Sequence, residues 1–301
     1  MTSMKIRKAV FPVAGLGTRL LPATKVMPKE MLTLVDKPLI QHAVEEAIEA
    51  GIEEFIFVTG RHKEMLEEHF DYQPELEETL AARGKHDLIA KIKSCGLPAG
   101  KLFLTRQPKA LGLGHAIWCA RGLIGNEPFA VLLPDDVFIP HEKAQGGLSQ
   151  LMTTYHETGG NLCLAIDVPP SETKRYGILN VGPSTNGPLP IRGMIEKPEP
   201  GSAPSTLAIM GRYILQPQIF DHLSAFETGA GGEIQLTDAM AKLIHKQPFH
   251  AVRFDGTRYD CGTKLGFIET NMALALRDPD IGADVAAIIR RLASDLSLRA
   301  A

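Results

Sequence analysis

Residues 10–30 read VFPVAGLGTRLLPATKVMPKE, an apolar segment followed directly by a glycine-rich loop that carries fixed cations. The apolar start is typical of a buried strand. Gly15 and Gly17 allow the backbone to turn tightly and to approach a ligand closely, so successive amide groups can form an anion-binding concavity. Arg19 and Lys29 add positive charge. The stretch therefore predicts a core strand that ends in a phosphate-binding loop.

Two common phosphate-binding motifs do not fit this loop. In the dinucleotide pattern GxGxxG the third glycine would fall at Leu20, and no GxxxxGK[ST] sequence occurs in the chain. A nicotinamide-dependent oxidoreductase and a P-loop nucleotidase are therefore disfavoured, and another kind of nucleotide loop is expected.

The composition limits the possible functions further. A chain of 301 residues with 44% hydrophobic content can bury a substantial core, and a formal net charge of -3 gives no sign of a nucleic-acid-binding surface. No apolar run approaches the roughly 18 residues of a membrane span, and no signal peptide is visible at the N-terminus. We expect a cytoplasmic protein without nucleic-acid or membrane partners. Its four cysteines form no CxxC pair, so neither a zinc site nor a disulfide framework is indicated.

Short aliphatic runs alternate with amphipathic segments in the first half of the chain, which predicts a parallel sheet covered by helices. The predicted strands span residues 9–13, 55–59, 103–105 and 129–133, and the predicted helices span 38–50 and 63–93, the latter with a break near Pro74. The candidate nucleotide loops follow the first, third and fourth of these strands. Ligands of open α/β sheets bind outside the carboxyl ends of the strands, so these loops are expected to meet.

The second half has a different character, with strands broken by turns. Strands are predicted over residues 162–168, 177–181, 191–195 and 207–215, and a turn or hairpin tip is predicted within 181–192 because of its Pro, Gly and Asn content. Apolar residues recur at helical spacing over 268–276 and 285–298. The chain is therefore expected to end in two helices.

Further motifs follow the first one in order along the chain. They are RQPKALGLGHA at 106–116, LLPDD at 132–136, RYGIL at 175–179, EKP at 196–198, GGEIQLTD at 231–238 and YDCGTKLG at 259–266. With the glycine loop and its PKEM sequence, these seven motifs resemble the sugar-nucleotide pyrophosphorylases, which join a nucleoside triphosphate to a sugar 1-phosphate. GGEIQLTD and LGLGHA resemble the uridylyl branch of that family.

The resemblance implies a fold and a division of the chain. The implied fold is α/β, a Rossmann-like three-layer nucleotidyltransferase fold with a mixed, mainly parallel central sheet and a β-rich half for the sugar. A single domain over residues 1–301 is expected, with a nucleotide-binding half at 1–146, a sugar-phosphate-binding half at 147–263 and C-terminal helices at 264–301. A homo-oligomer, either a dimer or a tetramer, is implied as well.

The resemblance also implies a reaction. A uridylyl group passes from UTP to glucose 1-phosphate by Mg²⁺-assisted in-line attack, giving UDP-glucose and pyrophosphate without a protein nucleophile. Three cations are implied as catalytic residues: Arg19 and Lys29 hold the triphosphate, and Lys197 of the EKP motif pairs with the sugar phosphate. A lone Lys or Arg is otherwise a solvated surface charge.

Two aspartates are the candidate metal ligands. Asp135 follows a buried apolar strand, a rigid position that suits a hard cation bridging phosphate oxygens, although an aspartate there also serves to cap the next element. The resemblance assigns Asp135 to Mg²⁺ and matches Asp260 to a second family aspartate. Asp260 is equally explained as a turn residue before Gly262.

The remaining predicted contacts concern the base and the sugar. Gln107 offers a donor and an acceptor from one amide, which matches the imide edge of uracil, and Gly112 leaves room for the backbone to approach. Glu196 can accept hydrogen bonds from sugar hydroxyls, and Gly177 brings backbone close to the sugar; a neighbouring ion pair and a plain turn glycine are the alternatives. The nucleotide-binding residues implied by the resemblance are Ala14, Gly15, Leu16, Gly17, Glu30, Gln107, Gly112 and Asp136.

Two other functions stay open at this point. A close relative could use dTTP or another sugar 1-phosphate with the same chemistry. A regulatory paralogue could bind sugar nucleotide without turnover, but damage to the catalytic set is then expected, and the set is intact in this sequence, with Arg19, Lys29, Asp135 and Lys197 all present.

Overall fold

The computed structural model describes residues 4–183 and 187–300, with side chains as far as residue 295. The strands are β1 (Lys8–Pro12), β2 (Thr33–Leu34), β3 (Lys37–Pro38), β4 (Glu54–Thr59), β5 (Leu102–Arg106), β6 (Phe129–Leu132), β7 (Asp136–Pro140), β8 (Asn161–Asp167), β9 (Gly177–Val181), β10 (Leu189–Glu196), β11 (Leu207–Leu215), β12 (Phe249–Arg253) and β13 (Gly256–Asp260). The helices are α1 (Leu39–Glu49), α2 (Met65–Glu68), α3 (Pro74–Ala82), α4 (His86–Cys95), α5 (Leu113–Cys119), α6 (Arg121–Ile124), α7 (Gly147–Thr158), α8 (Ile219–Leu223), α9 (Leu236–Leu243), α10 (Lys264–Ala275) and α11 (Gly282–Ala300).

A nine-stranded mixed sheet runs through both halves of the chain, in the order β5-β4-β1-β6-β11-β8-β12-β10-β9. The strands β5, β4, β1 and β6 are mutually parallel, so the loops that follow β1, β5 and β6 leave from the same edge, as expected. From β6 onward most neighbours are antiparallel. Only β8 and β12 add another parallel pair among the described residues. The expectation of a mainly parallel sheet therefore describes the first half alone and is not confirmed for the whole sheet.

Helices cover both faces of this sheet because alternate residues of each strand point to opposite sides. Ala9 and Phe11 of β1 pack on one face together with residues of α1 and α7. Val10, between them, packs on the other face with residues of α5, α8 and α9. The result is three layers with an apolar core on each side of the sheet. No helix in the described ranges is long and apolar enough to cross a membrane.

Most predicted elements lie within a few residues of their predicted bounds, and the differences have local causes. Helix α1 begins at Leu39, directly after Pro38, since proline is favoured where a helix starts. The segment predicted as one broken helix over 63–93 contains α2, α3 and α4. Pro74 begins α3 as expected, and Gly84, with a φ of 68°, separates α3 from α4. Strands β9 and β10 form the expected hairpin, but residues 184–186 at its predicted tip lie outside the described residues.

A second, two-stranded sheet was not predicted from the sequence. Strands β7 and β13 pair in antiparallel fashion, with Asp260 opposite Asp136. The backbone N–H of Cys261 also donates to the carbonyl oxygen of Asp135, at 2.8 Å. Two five-residue strands that are more than 100 residues apart in sequence leave no local signal of their pairing. This pairing brings the two candidate metal ligands to the same place.

A buried ion pair holds the turn that carries Asp135. Arg212 of β11 is only 1% exposed and contacts both carboxylate oxygens of Glu46 on α1, with Nη2 2.7 Å from Oε2. The same guanidinium donates to the carbonyl oxygens of Leu133 and Asp136, each at 2.9 Å. Arg212 therefore joins helix α1 to both ends of the turn that presents Asp135.

We predict that Glu46→Ala lowers the free energy of unfolding by about 3 kcal/mol, because it leaves the Arg212 charge buried without its partner. Urea denaturation measures this loss. The matched control is Glu45→Ala on the same helix, whose ion pair with Lys37 is more than one-third exposed on both sides and whose loss should cost at most about 1 kcal/mol. Equal losses in the two variants would contradict the assignment.

Candidate active site

The glycine-rich loop after β1 forms one wall of a cleft of about 350 Å³ at the carboxyl edge of the parallel strands. The predicted loop residues all line it: Ala14, Gly15, Leu16 and Gly17. Gly17 has a φ of 63°, and a Cβ atom there would lie 3.2 Å from side-chain carbons of Thr24 and Lys29. Only glycine meets both the conformational and the packing requirement at this position.

A larger cavity of about 900 Å³ continues from the same loop. Four basic side chains line it: Lys25, Arg61, His62 and Lys63. Lys25, six residues after Arg19, belongs to this basic wall. Positive charge therefore extends beyond the two cations predicted for the triphosphate.

Lys29 and Asp135 meet in an ion pair between the loop and the end of β6. Nζ of Lys29 lies 2.6 Å from Oδ2 of Asp135. Burial opposes charge on both groups, but their mutual attraction is stronger, so the pKa of Lys29 is raised and the pKa of Asp135 is lowered from the ordinary values. Both groups are therefore charged at neutral pH.

Asp260 and Asp135 converge on the space beside Gly262. A Cβ atom built on Gly262 would lie 3.0 Å from Oδ1 of Asp260 and 3.2 Å from Oδ2 of Asp135. It would also lie 4.0 Å from Nη1 of Arg19. The absence of a side chain at this glycine leaves a gap between two carboxylates, beside a cation of the nucleotide loop.

This gap fits a divalent cation that shares its coordination with substrate. Among the described residues, no group of three or more His, Cys, Asp or Glu side chains is arranged to hold a metal ion. A hard cation that bridges phosphates needs only one or two carboxylates, since phosphate oxygens and water complete its coordination. Asp135 and Asp260 supply that number.

Asp136 faces away from this gap. Its Oδ1 accepts a hydrogen bond from Nε of Arg258 at 2.8 Å, and its Oδ2 accepts one from the backbone N–H of Gly211 at 3.0 Å. Both carboxylate oxygens are therefore used within the protein, and the nucleotide contact assigned to Asp136 stays a prediction. Arg258 also approaches Asp260, with 4.0 Å between Nη2 and Oδ1, so one guanidinium lies between the two aspartates.

The predicted sugar-side residues form a second cluster, on β9 and β10. Gly177 lies opposite Glu196 in the hairpin. Oε2 of Glu196 accepts a hydrogen bond from the Thr237 hydroxyl at 2.7 Å, and a Cβ atom on Gly177 would lie 3.1 Å from both of these oxygens. A side chain at residue 177 would crowd the hydrogen bond by which Thr237 orients Glu196. The predicted backbone approach of Gly177 to a sugar stays a prediction.

Lys197 has an unusual backbone conformation at the end of β10. Its φ is 46°, in the left-handed region that a residue with a side chain rarely adopts. Its backbone N–H donates to the carbonyl oxygen of Tyr176 at 3.0 Å, and its ammonium group lies 3.3 Å from Oε1 of Glu196. Backbone strain of this kind is often found at functional sites, where the surrounding contacts maintain it.

Tyr176 and its neighbour Arg175 connect the two clusters. The Tyr176 hydroxyl accepts a hydrogen bond from Nη1 of Arg258 at 3.2 Å, and Nη2 of Arg175 donates to Oδ2 of Asp260 at 3.1 Å. The sugar-side residues therefore adjoin the aspartates directly.

Gln107 and Gly112 line the same cleft as the glycine loop, and together they form the base wall of the cleft. Nε2 of Gln107 donates to the carbonyl oxygen of Gly112 at 3.0 Å, so part of the amide is already used within the protein. Gly112 has a φ of 106°, and a Cβ atom there would lie 2.8 Å from the carbonyl oxygen of Ile234. The predicted base contacts are thus brought together, with the carbonyl end of the Gln107 amide left for a ligand.

Glu30 lies behind the loop. It is 1% exposed, and its Oε2 is 2.8 Å from Nζ of Lys63, while Oε1 is buried without a hydrogen-bond partner. Burial raises the pKa of Glu30 despite the nearby charges of Lys29 and Lys63. Its position indicates that it orients Lys63 on the basic wall of the larger cavity, and its predicted contact with the nucleoside stays a prediction.

Comparisons with known proteins identify the family. The Nucleotidyl transferase family profile matches residues 8–277. This chain belongs to the nucleotidyl transferase family. It is 50% identical over 288 residues to a protein of Staphylococcus epidermidis named UTP–glucose-1-phosphate uridylyltransferase, covering 96% of this chain and 99% of that one.

Solved structures of this nucleotidyl transferase family are similar as well. The UTP-bound UGPase of Acinetobacter baumannii is 41% identical, with a TM-score of 0.89, and the match covers 96% of this chain and all of that one. A UDP-glucose pyrophosphorylase crystallised with UDP-glucose is 42% identical, with a TM-score of 0.81 and coverage of 91% and 100%. The α/β nucleotidyltransferase fold and the family resemblance found in the sequence motifs are thereby confirmed.

Several residues that shape this nucleotidyl transferase site were not found from the sequence. They are Glu46, Lys63, Arg212, Thr237 and Arg258. Usable signals existed for two of them: Arg258 precedes Asp260 by two residues on one strand and so lies on the same face, and Thr237 belongs to the motif GGEIQLTD. Glu46, Lys63 and Arg212 reach the site from distant elements, and nothing in their local sequence marks them.

We predict that Gly112→Ala weakens UTP binding by about tenfold or more, because a side chain there combines a disfavoured φ with a clash against the backbone of Ile234. Calorimetric titration with UTP measures the affinity. Gly122→Ala is the matched control, since a Cβ atom on Gly122 meets no heavy atom within 4 Å. Unchanged affinity in Gly112→Ala would show that this glycine does not form the base wall.

Proposed function

We propose that this protein transfers a uridylyl group from UTP to glucose 1-phosphate and releases UDP-glucose and pyrophosphate. The observation that carries the proposal is the convergence of Arg19, Asp135 and Asp260 on one gap beside the glycine loop. The sugar-side pair Glu196 and Lys197 adjoins this gap through Tyr176 and Arg258. The named activity of the relatives at about 50% identity, and the UTP and UDP-glucose bound to similar structures, support the same reaction.

The proposed reaction is a direct in-line displacement. A phosphate oxygen of glucose 1-phosphate attacks the α-phosphorus of UTP and forms a P–O bond. The bond to the β-phosphate breaks, and pyrophosphate leaves with its electron pair. No protein nucleophile is needed, so the chain contributes positioning and charge stabilisation, as in other phosphoryl transfers. Lys29 and Arg19 hold the triphosphate, and Lys197 holds the attacking phosphate.

Nucleotidyltransferases of this kind generally use a divalent metal, and we propose Mg²⁺ held by Asp135 and Asp260. When bound, the cation neutralises phosphate charge that would otherwise keep the two anionic substrates apart. Lys29 donates to the same carboxylate oxygen of Asp135 that borders the gap, so it keeps that ligand charged and oriented. A side chain at residue 262 would crowd both carboxylates, so the glycine keeps them accessible.

The proposed domain arrangement follows the shared sheet. We propose one nucleotidyltransferase domain, in which residues 1–146 bind mainly nucleotide, 147–263 bind mainly sugar phosphate and 264–301 form the C-terminal helices. A homo-oligomer and a cytoplasmic location, expected from the sequence, stay predictions.

Pyrophosphate release tests the function directly. Purified protein is supplied with glucose 1-phosphate, Mg²⁺ and one of UTP, dTTP, ATP, CTP or GTP, with a control lacking metal. Strong preference for UTP is expected. Equal or better use of dTTP would retain the mechanism but change the assigned nucleotide specificity. If no nucleotide led to pyrophosphate release, the result would favour a regulatory paralogue that binds sugar nucleotide without turnover.

We predict that Asp135→Asn reduces kcat by about 100-fold or more while leaving the fold intact, because the amide removes the charge that holds the cation. Steady-state kinetics and circular dichroism measure the two effects. Asp255→Asn is the control, since Asp255 is a well-exposed aspartate whose carboxylate pairs with His141. Near-normal turnover by Asp135→Asn would overturn the metal assignment.

We predict that Lys197→Ala raises KM for glucose 1-phosphate by about tenfold or more and changes KM for UTP little, because the lost cation pairs with the sugar phosphate. Initial rates with each substrate varied in turn separate the two constants. Lys174→Ala, a lysine before the sugar-side strand that forms no ion pair in the described part of the chain, serves as the control. If KM for UTP alone rose, the two phosphate sites would have to be exchanged.

A further inference from the structure

Gln107 and His115 form a buried hydrogen-bonded pair behind the base wall of the cleft. Nε2 of Gln107 lies 3.1 Å from Nδ1 of His115 and 3.0 Å from the carbonyl oxygen of Gly112. Each of the two residues is 7% exposed. The amide nitrogen of Gln107 therefore has two neighbours within the protein, and the reaction proposed above leaves His115 without a role.

The polarity of these contacts fixes which end of the Gln107 amide faces the cleft. The carbonyl oxygen of Gly112 can only accept a hydrogen bond, so the amide atom beside it must be the NH₂ group. Nδ1 of His115 supports the same orientation when it accepts, which requires a neutral ring with its proton on Nε2. Oε1 of Gln107 then has no partner among the described residues and is not enclosed by protein atoms.

The surroundings of His115 favour that neutral ring. The ring centroids of Trp118 and Phe226 each lie 5.9 Å from the imidazole centroid. Burial lowers the pKa of His115 from its ordinary value. The other titratable group at Nδ1 is the Cys119 thiol, with its sulfur 3.9 Å away, and burial raises the pKa of that thiol, so it is uncharged at neutral pH.

We propose that His115 is a positioning residue that holds the Gln107 amide with its carbonyl oxygen toward the nucleobase and thereby selects uracil over cytosine. The inference rests on the proposed uridylyl transfer and adds how its base is chosen. Uracil presents an N3–H donor to an acceptor, whereas cytosine presents an unprotonated N3 that an acceptor repels. The backbone N–H of Gly112, which has no partner in the described part of the chain, donates to a ring carbonyl oxygen. Specificity then arises from attraction to one base and repulsion of the other.

The test removes the hydrogen-bond acceptor at position 115 and then restores it. His115→Phe keeps a ring against Trp118 but has no acceptor, so the ratio of kcat/KM for UTP to that for CTP should fall about tenfold, the typical effect of one hydrogen bond. His115→Asn places Oδ1 close to the former position of Nδ1 and should restore most of the ratio. Melting temperatures are measured for every variant, and His115→Leu replaces His115→Phe if the latter does not fold.

A double-mutant comparison separates positioning from general destabilisation. In a Gln107→Leu background, His115→Phe should not change the UTP-to-CTP ratio further, because the amide that it positions is absent. His250→Phe, at a half-buried histidine on β12 remote from the cleft, controls for the loss of an imidazole and should leave the ratio unchanged.

The outcomes distinguish this inference from the function on which it rests. An unchanged ratio in a folded His115→Phe variant overturns the inference, and so does an equal fall in the Gln107→Leu background. A wild-type protein that turns over no UTP overturns the proposed function instead. A wild type that prefers UTP, with a ratio that falls in His115→Phe and recovers in His115→Asn, supports both.

Discussion

The concentration of negative charge where β7 meets β13 is the constraint on which the rest of the site depends. Asp135, Asp136 and Asp260 lie on adjoining positions of this strand pairing. Neighbouring carboxylates repel one another, and each therefore disfavours ionisation of the others. Each carboxylate has a cationic neighbour of its own: Lys29 for Asp135, Arg258 for Asp136 and Arg175 for Asp260. These ion pairs offset the repulsion among the three carboxylates. Two of them can then serve a divalent cation.

The mixed sheet places the proposed phosphate-binding loops on a common edge. Its parallel strands send the glycine loop, the Gln107 loop and the Asp135 turn out of one side, because parallel strands end together. Its antiparallel part adds the hairpin of β9 and β10, whose end carries Lys197. Arg212 of β11 binds the turn before β7 at the junction of the two parts. The junction of the two parts of the sheet therefore lies next to the candidate active site.

Residues behind the cleft determine the orientation of the side chains that face it. Asp136 fixes Arg258, Glu30 fixes Lys63, and Thr237 fixes Glu196, in each case through a contact shorter than about 3 Å. His115 acts in the same way on Gln107 in the proposal for base selection. An active-site group that is already held in one orientation loses little entropy when substrate binds. The buried polar groups contribute to substrate binding through this preorganisation.

The sequence by itself determined the family and nearly all strands of the large sheet, and it predicted the three nucleotide loops, because glycine spacing, apolar runs and motif order are local properties. It also indicated Arg19, Lys29, Asp135 and Lys197 as candidate catalytic or metal-binding residues. Only the tertiary structure decided the pairing of β7 with β13, the antiparallel character of the second half and the contacts of Arg212 and Arg258. Those features depend on segments far apart in the chain, whose contacts are fixed by packing and charge neutralisation. For the same reason Glu30 and Asp136, both part of local motifs, lie behind the cleft with cations as their partners.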